Sequence, residues 1–137
     1  NGERDLAYKL IEQVFEGNPG NLHALCNGVV FSHYEHQPVE PMVSALKKVF
    51  PISVDHRYKL GITFSILGEY EYSFKWLRSI RNDVTAPDAS YYYWLAVSAY
   101  YSKNEETSRH AWEQLVRIDP DMDGKEPWKI PGPSNPL

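Results

Sequence analysis

Residues 89 to 120 read ASYYYWLAVSAYYSKNEETSRHAWEQLVRIDP. Helical spacing puts Tyr92, Leu95, Ala96 and Ala99 on one face of a first segment. After Ser102 and Lys103 it puts Ser108, Trp112, Leu115 and Val116 on one face of a second, which Asp119 and Pro120 end. The stretch is therefore a helical hairpin. Moved back 35 residues, the pattern returns as Arg57, Leu60, Gly61 and Phe64, then Ser73, Leu77, Ile80 and Arg81, with Pro87 at its end. Moved back a further 34, it returns more weakly as Cys26, Asn27 and Val30, then Val39, Val43 and Leu46, ending at Pro51. A period in the mid-thirties marks stacked repeats, because one hairpin cannot bury its apolar face without a neighbour. The expected fold is all-α, antiparallel hairpins stacked as a right-handed superhelix, with units at residues 20–53, 54–88 and 89–120.

The 137 residues suffice for one domain. With 42% hydrophobic and 23% charged residues the composition is that of an ordered globular chain, whereas 14% aromatic residues, ten of them Tyr and four Trp, is more than a small core needs. Tyr and Trp also supply contact area at binding surfaces. The single Cys26 has no internal disulfide partner, no apolar run reaches membrane-spanning length, and no leader-like segment opens the sequence, so the expected location is the cytoplasm. The formal charge of -4 is segregated: basic side chains dominate residues 41–81 and acidic ones dominate both flanks. Two readings fit, solvated faces or a positive middle that meets an acidic partner.

In chain order, residues 3–15 carry an apolar stripe of Leu6, Ala7, Leu10, Ile11, Val14 and Phe15, stopped by Gly17 and Pro19. They form the second half of a unit, 1–19, whose open edge is a place for an upstream repeat or for self-association. Helices are expected over 21–34, 42–50, 55–67, 70–81, 88–101 and from 104 to the last turn near Arg117, with a loop at 82–87. Pro41 suits a first helical turn. Gly28, inside its helix at a cost of about 1 kcal/mol relative to Ala, points to a close helix approach. Asn104 reads as an N-cap, followed by Glu105 and Glu106 at the positive end of the helix. From 121 to 137 the pattern stops: Pro127, Pro131, Pro133 and Pro136 make this an extended tail. Trp128 and Ile130 are its large apolar residues, placed to fold back near Trp112 and Leu115 and cap the last hairpin.

With these residues the chain resembles a tetratricopeptide repeat (TPR) domain of the bacterial type, over roughly residues 1–120. Leu60, Gly61, Gly68 and Tyr70 match the family pattern in one unit, Tyr92, Leu95, Ala96, Trp112, Asp119 and Pro120 in the next, and Gly2, Ala7 and Pro19 in the half unit. Asn27, Ala99, Ser73 and Ser108 depart from it. The resemblance implies first helices that line a concave groove. Some members of the family it resembles grip a C-terminal carboxylate with Lys, Arg and Asn on those helices. The corresponding positions here are Ala24, Gly28, Tyr58, Ile62, Tyr93 and Val97, so no such clamp is expected.

Other residues of the kind that carry chemistry are sparse. His33 and His36 lie three apart with Cys26 two helical turns before, a spacing that matches no closed zinc pattern. His23, His56 and His110 have no nucleophile at motif spacing, and no phosphate-binding loop is present. Neither enzyme activity, cofactor nor metal is expected. The aromatic stripe is the stronger signal. Phe31, Tyr58, Ile62, Tyr93, Val97, Tyr100 and Tyr101 are expected to line a groove for an extended peptide or protein partner, apolar or proline-rich, with acidic flanks drawn by residues 41–81. No basic stripe interleaves with the aromatics, which argues against nucleic acid. The expected function is a non-catalytic interaction scaffold; the alternative is a regulatory or positioning domain of a larger catalytic or signalling chain.

Overall fold

A computed structural model describes residues 22–51, 53–80 and 88–129, and the expectations for the half unit 1–19, its open edge, the loop 82–87 and Ile130 lie outside these residues. Among the described residues six α-helices follow one another: α1 (Leu22–Tyr34), α2 (Glu40–Leu46), α3 (Val54–Ile66), α4 (Tyr70–Ser79), α5 (Ala89–Tyr101) and α6 (Glu105–Ile118). No strand occurs among the described residues. The helices form three hairpins, α1/α2, α3/α4 and α5/α6. First helices stack on one another, α1 on α3 and α3 on α5, and α4 fills the space between α3 and α5.

The repeat is visible in single bonds. Gly61 and Ala96 occupy equivalent places on α3 and α5, and each lets the paired helix approach closely. A Cβ on Gly61 would lie 2.5 Å from Leu77 Cγ. Across that approach Ser73 Oγ donates to the Gly61 carbonyl at 2.6 Å, and Ser108 Oγ donates to the Ala96 carbonyl at 2.7 Å. Both hydroxyls are fully buried, so these bonds satisfy groups that would otherwise cost about 1–3 kcal/mol to desolvate. The two serines that depart from the family pattern thus make one recurring interhelical bond.

Burial also fixes the first hairpin's register. Leu25, Cys26 and Val29 are buried in α1 as Leu60, Gly61 and Phe64 are in α3 and Leu95, Ala96 and Ala99 in α5. The step is 35 residues both times. The expected step of 34 for the weaker copy is one short, because it equated Cys26 with Leu60 rather than with Gly61. Cys26 takes the small-residue place, and Asn27 is exposed.

Each hairpin turns through a residue in the left-handed region: His36 (φ 59°), Gly68 (φ 80°) and Lys103 (φ 66°). The next amide closes the turn by reaching five residues back, Gln37 to Ser32, Glu69 to Phe64 and Asn104 to Ala99, at 2.8–2.9 Å. This is the Schellman arrangement that satisfies the last carbonyls of a helix. Ser53 and Asp88 cap α3 and α5, accepting from the amides of His56 and Tyr91. Asn104 sits at the N-cap position of α6 without capping it; its Nδ2 turns back to donate to the Ser102 carbonyl.

Three further expectations change. α2 ends at Leu46 instead of running to residue 50, with Val49 wound on to Leu46 in a tighter turn. Phe50 precedes Pro51, which disfavours helical backbone at that residue, and Phe50 is left 74% exposed. Gly28 makes no close approach, since a Cβ there would meet nothing within 4 Å. Finally, in α5 Tyr91 is buried and Tyr92 only half-buried, the reverse of the expected facing. Tyr91 Oη reaches the Leu77 carbonyl of α4 at 3.2 Å, a bond that draws that ring inward.

Two apolar clusters result. One joins Leu22, Leu25 and Val29 to Met42, Leu46, Leu60, Phe64 and Trp76; the other joins Phe74, Leu77 and Ile80 to Leu95, Trp112 and Leu115. Helix α4 serves both, Trp76 on one side and Leu77 on the other. Fully buried side chains such as Phe64 and Leu77 contribute about 1.5–3 kcal/mol each.

Candidate functional site: an aromatic cleft beside the first helices

The stacking places tyrosines from three hairpins around one cleft of about 400 Å³. Tyr34 from the end of α1, Ile66 from α3, Tyr70 from α4, and Tyr93, Val97 and Tyr101 from α5 line it. Tyr70 and Tyr101 lie ring against ring, with centroids 4.6 Å apart and planes at 30°. Burial, with the neighbouring Tyr101 and Tyr93 hydroxyls, raises the Tyr70 phenol pKa, so this phenol stays a donor as well as an acceptor. Lys125 and Pro127 of the C-terminal segment line the same cleft.

Three of the seven expected groove residues, Tyr93, Val97 and Tyr101, are brought together there. The other four sit elsewhere. Tyr58 lies in the seam between hairpins, its Oη 2.8 Å from Ser90 Oγ and its ring 6.4 Å from that of Tyr91; burial raises its pKa. Tyr100 stands between Tyr101 and Trp128, at 5.0 and 5.9 Å. Ile62 is half-buried on α3, and Phe31 is 47% exposed on α1. The sequence did not mark Tyr34 or Tyr70 as groove residues, although both end or begin a helix at a hairpin turn, where side chains of successive units converge.

The C-terminal segment contributes a wall. Single turns of 3-10 helix at Pro120–Met122 and Pro127–Lys129 break up the stretch read as extended, each opening on a proline whose missing N–H costs nothing there. Trp128 lies edge-on to Trp112 at 6.2 Å, with the Arg109 guanidinium 4.8 Å from its ring centre, and Trp112 Nε1 donates to the Met122 carbonyl at 3.3 Å. Glu126, buried at 4% exposure, accepts from the Gly124 amide and pairs with Lys129, whose hydrogen bond lowers the Glu126 carboxyl pKa.

A polar seam separates α1 from α3: Lys59 Nζ donates to Asn27 Oδ1 at 2.6 Å, and the His23 and His56 rings lie 5.4 Å apart. Their separations of 32 and 33 residues, close to one repeat, are the signal that foretells these pairs. Cys26 is buried, and burial pushes its thiol pKa up, toward the inert neutral form. Among the described residues no group of three or more His, Cys, Asp or Glu is placed to hold a metal ion. No described helix is long and apolar enough to cross a membrane.

Over 118 residues, 85% of its length, the chain is 36% identical to the TPR repeat-containing protein YvcD of Bacillus subtilis (strain 168). This likeness supports assigning the chain to the tetratricopeptide repeat family. The chain spans 24% of that TPR relative. No protein-family model matches the chain, and no solved structure matches it. The α3/α4 and α5/α6 hairpins carry the TPR arrangement of small residue, turn and closing helix, while α1/α2 carries a shortened second helix.

Proposed function

We propose that this TPR array is a non-catalytic scaffold that binds an extended protein segment in the cleft lined by Tyr93, Val97 and Tyr101, with Tyr70 and Tyr34 completing it. The observation that carries the reading is the convergence of six tyrosine and aliphatic side chains from three hairpins on one cleft, a surface only a stacked array assembles. Rigid tyrosines offer contact area with little rotamer entropy to lose, and proline rings pack on such faces. Pro127 of the chain itself lines the cleft, which supports a proline-bearing or apolar ligand. The remaining expected groove residues, Phe31, Ile62, Tyr58 and Tyr100, extend or support the surface. The units 20–53, 54–88 and 89–120 act as one array with residues 121–137 as an appended segment, and a free, buried thiol suits work in the cytoplasm.

Selection of displayed twelve-residue peptides on the intact chain tests this reading. Proline- and apolar-rich peptides are expected, losing affinity when Tyr93→Ala and Tyr101→Ala are combined in a chain that still melts cooperatively. Peptides that bind the double variant unchanged would contradict it. A second reading, a regulatory or positioning domain in a larger catalytic or signalling chain, is favoured by the small share of the TPR relative that this chain covers.

A further inference from the structure

The unpaired basic side chains of residues 41–80 do not gather at the tyrosine cleft. Lys48 follows α2, and Lys75 and Arg78 lie on α4, both second helices. None of the three has an ion pair among the described residues, whereas Lys47 is paired with Glu69. Glu71, one turn before Lys75, makes no ion pair with it.

Around Lys75 stand three rings. Its Nζ lies 4.9 Å from the Trp76 ring centre, 5.5 Å from Phe50 and 5.8 Å from Tyr72. Phe50 packs edge-on against Trp76 at 6.3 Å and otherwise faces solvent at 74% exposure. Behind it Trp76, 8% exposed, holds its Nε1 buried with no acceptor. An indole N–H left without a partner costs about 1–3 kcal/mol, and native structures seldom leave such donors unexplained. A cation, an exposed ring and a spare buried donor thus share one patch on the second-helix side of the array.

We infer that the Phe50, Lys75 and Trp76 patch is a second docking surface, for an acidic protein segment that carries an apolar side chain next to its carboxylate. The carboxylate pairs with Lys75 and, as Phe50 swings aside, accepts from Trp76 Nε1; the apolar neighbour takes the exposed face of Phe50. A cationic segment is disfavoured by Lys75. The surface is independent of the tyrosine cleft, so each stands or falls alone.

The test uses the full 137-residue chain and three short peptides, one alternating Glu with Leu, one Gln with Leu and one Lys with Leu. Binding is read by fluorescence anisotropy and by the indole N–H resonance of Trp76, identified by its loss in Trp76→Phe. The Glu peptide is expected to bind and to shift that resonance. Its affinity should fall about fivefold or more in Lys75→Gln and at high salt, as for an ion pair at an interface. Phe50→Ala, a change at an exposed position, should weaken it likewise, and Tyr93→Ala with Tyr101→Ala should leave it unchanged. Equal binding of the Gln peptide, insensitivity to Lys75→Gln, an unmoved Trp76 resonance or no binding of the Glu peptide would overturn the inference.

Discussion

Gly61 and Ala96 show how little side chain the hairpin tolerates where its helices cross. With Leu77 Cγ 2.5 Å from the place a Gly61 Cβ would occupy, Gly61→Ala forces α4 outward or Leu77 off its rotamer. Overpacking of this kind costs about 1–3 kcal/mol, and the melting temperature should fall. Gly28→Ala should do the opposite: its Cβ meets nothing within 4 Å, so only helix propensity changes, by about 1 kcal/mol in favour of folding. Thermal melts of the two variants check both signs, and stabilisation by Gly61→Ala would show that the helices are not in contact there. At this scale the sequence spoke unevenly. Gly61 and Ala96 were legible because a small residue recurs at one register, whereas Gly28 carried the same letter without the contact. Tyr91 was not legible, since α5 is aromatic or apolar on nearly every side and its burial is decided by a bond to Leu77 of another helix.

Among the elements, the C-terminal segment is the clearest case of a short piece held by a few side chains. Trp128 lies on Trp112 and Tyr100, and Glu126 ties the turn through Gly124 and Lys129. Trp128→Ala removes a half-buried indole and should lower stability by about 1–2 kcal/mol, read as a lower melting temperature. The Glu126 pKa is lowered in the folded chain, chiefly by the Lys129 hydrogen bond. A depressed carboxyl favours folding above its unfolded pKa of about 4.3, and that contribution is lost as pH falls through the folded value. Tail docking, followed by Trp128 fluorescence, should therefore weaken in acid, and Glu126→Gln should flatten the dependence. An unchanged acid profile in Glu126→Gln would assign the effect to other carboxylates. The helices and their order were legible in hydrophobic spacing and turn residues; the early end of α2 was legible only in hindsight, in the proline after Phe50. The left-handed residues His36 and Lys103 gave no signal, because neither is the glycine that usually marks such a turn.

Across the whole molecule, the 35-residue step turns local hairpins into a surface that none of them has alone. Helix α5 brings Tyr93, Val97 and Tyr101 to a cleft that α1, α3, α4 and the C-terminal segment complete, while Lys75 and Arg78, without an ion pair among the described residues, lie on a second helix. Composition alone disclosed an excess of aromatics and a basic middle. Which tyrosines converge, and where the charge goes, depends on the stacking of units far apart in sequence, which no local pattern encodes. The direct measurement is a nitrogen-15 and methyl chemical-shift map of the intact chain titrated with a proline-rich peptide selected on it. The largest changes should fall at Tyr70, Tyr93, Val97 and Tyr101; changes confined to α6 or to the Phe50 and Lys75 patch, with those four unmoved, would contradict the assignment of the cleft as the binding site.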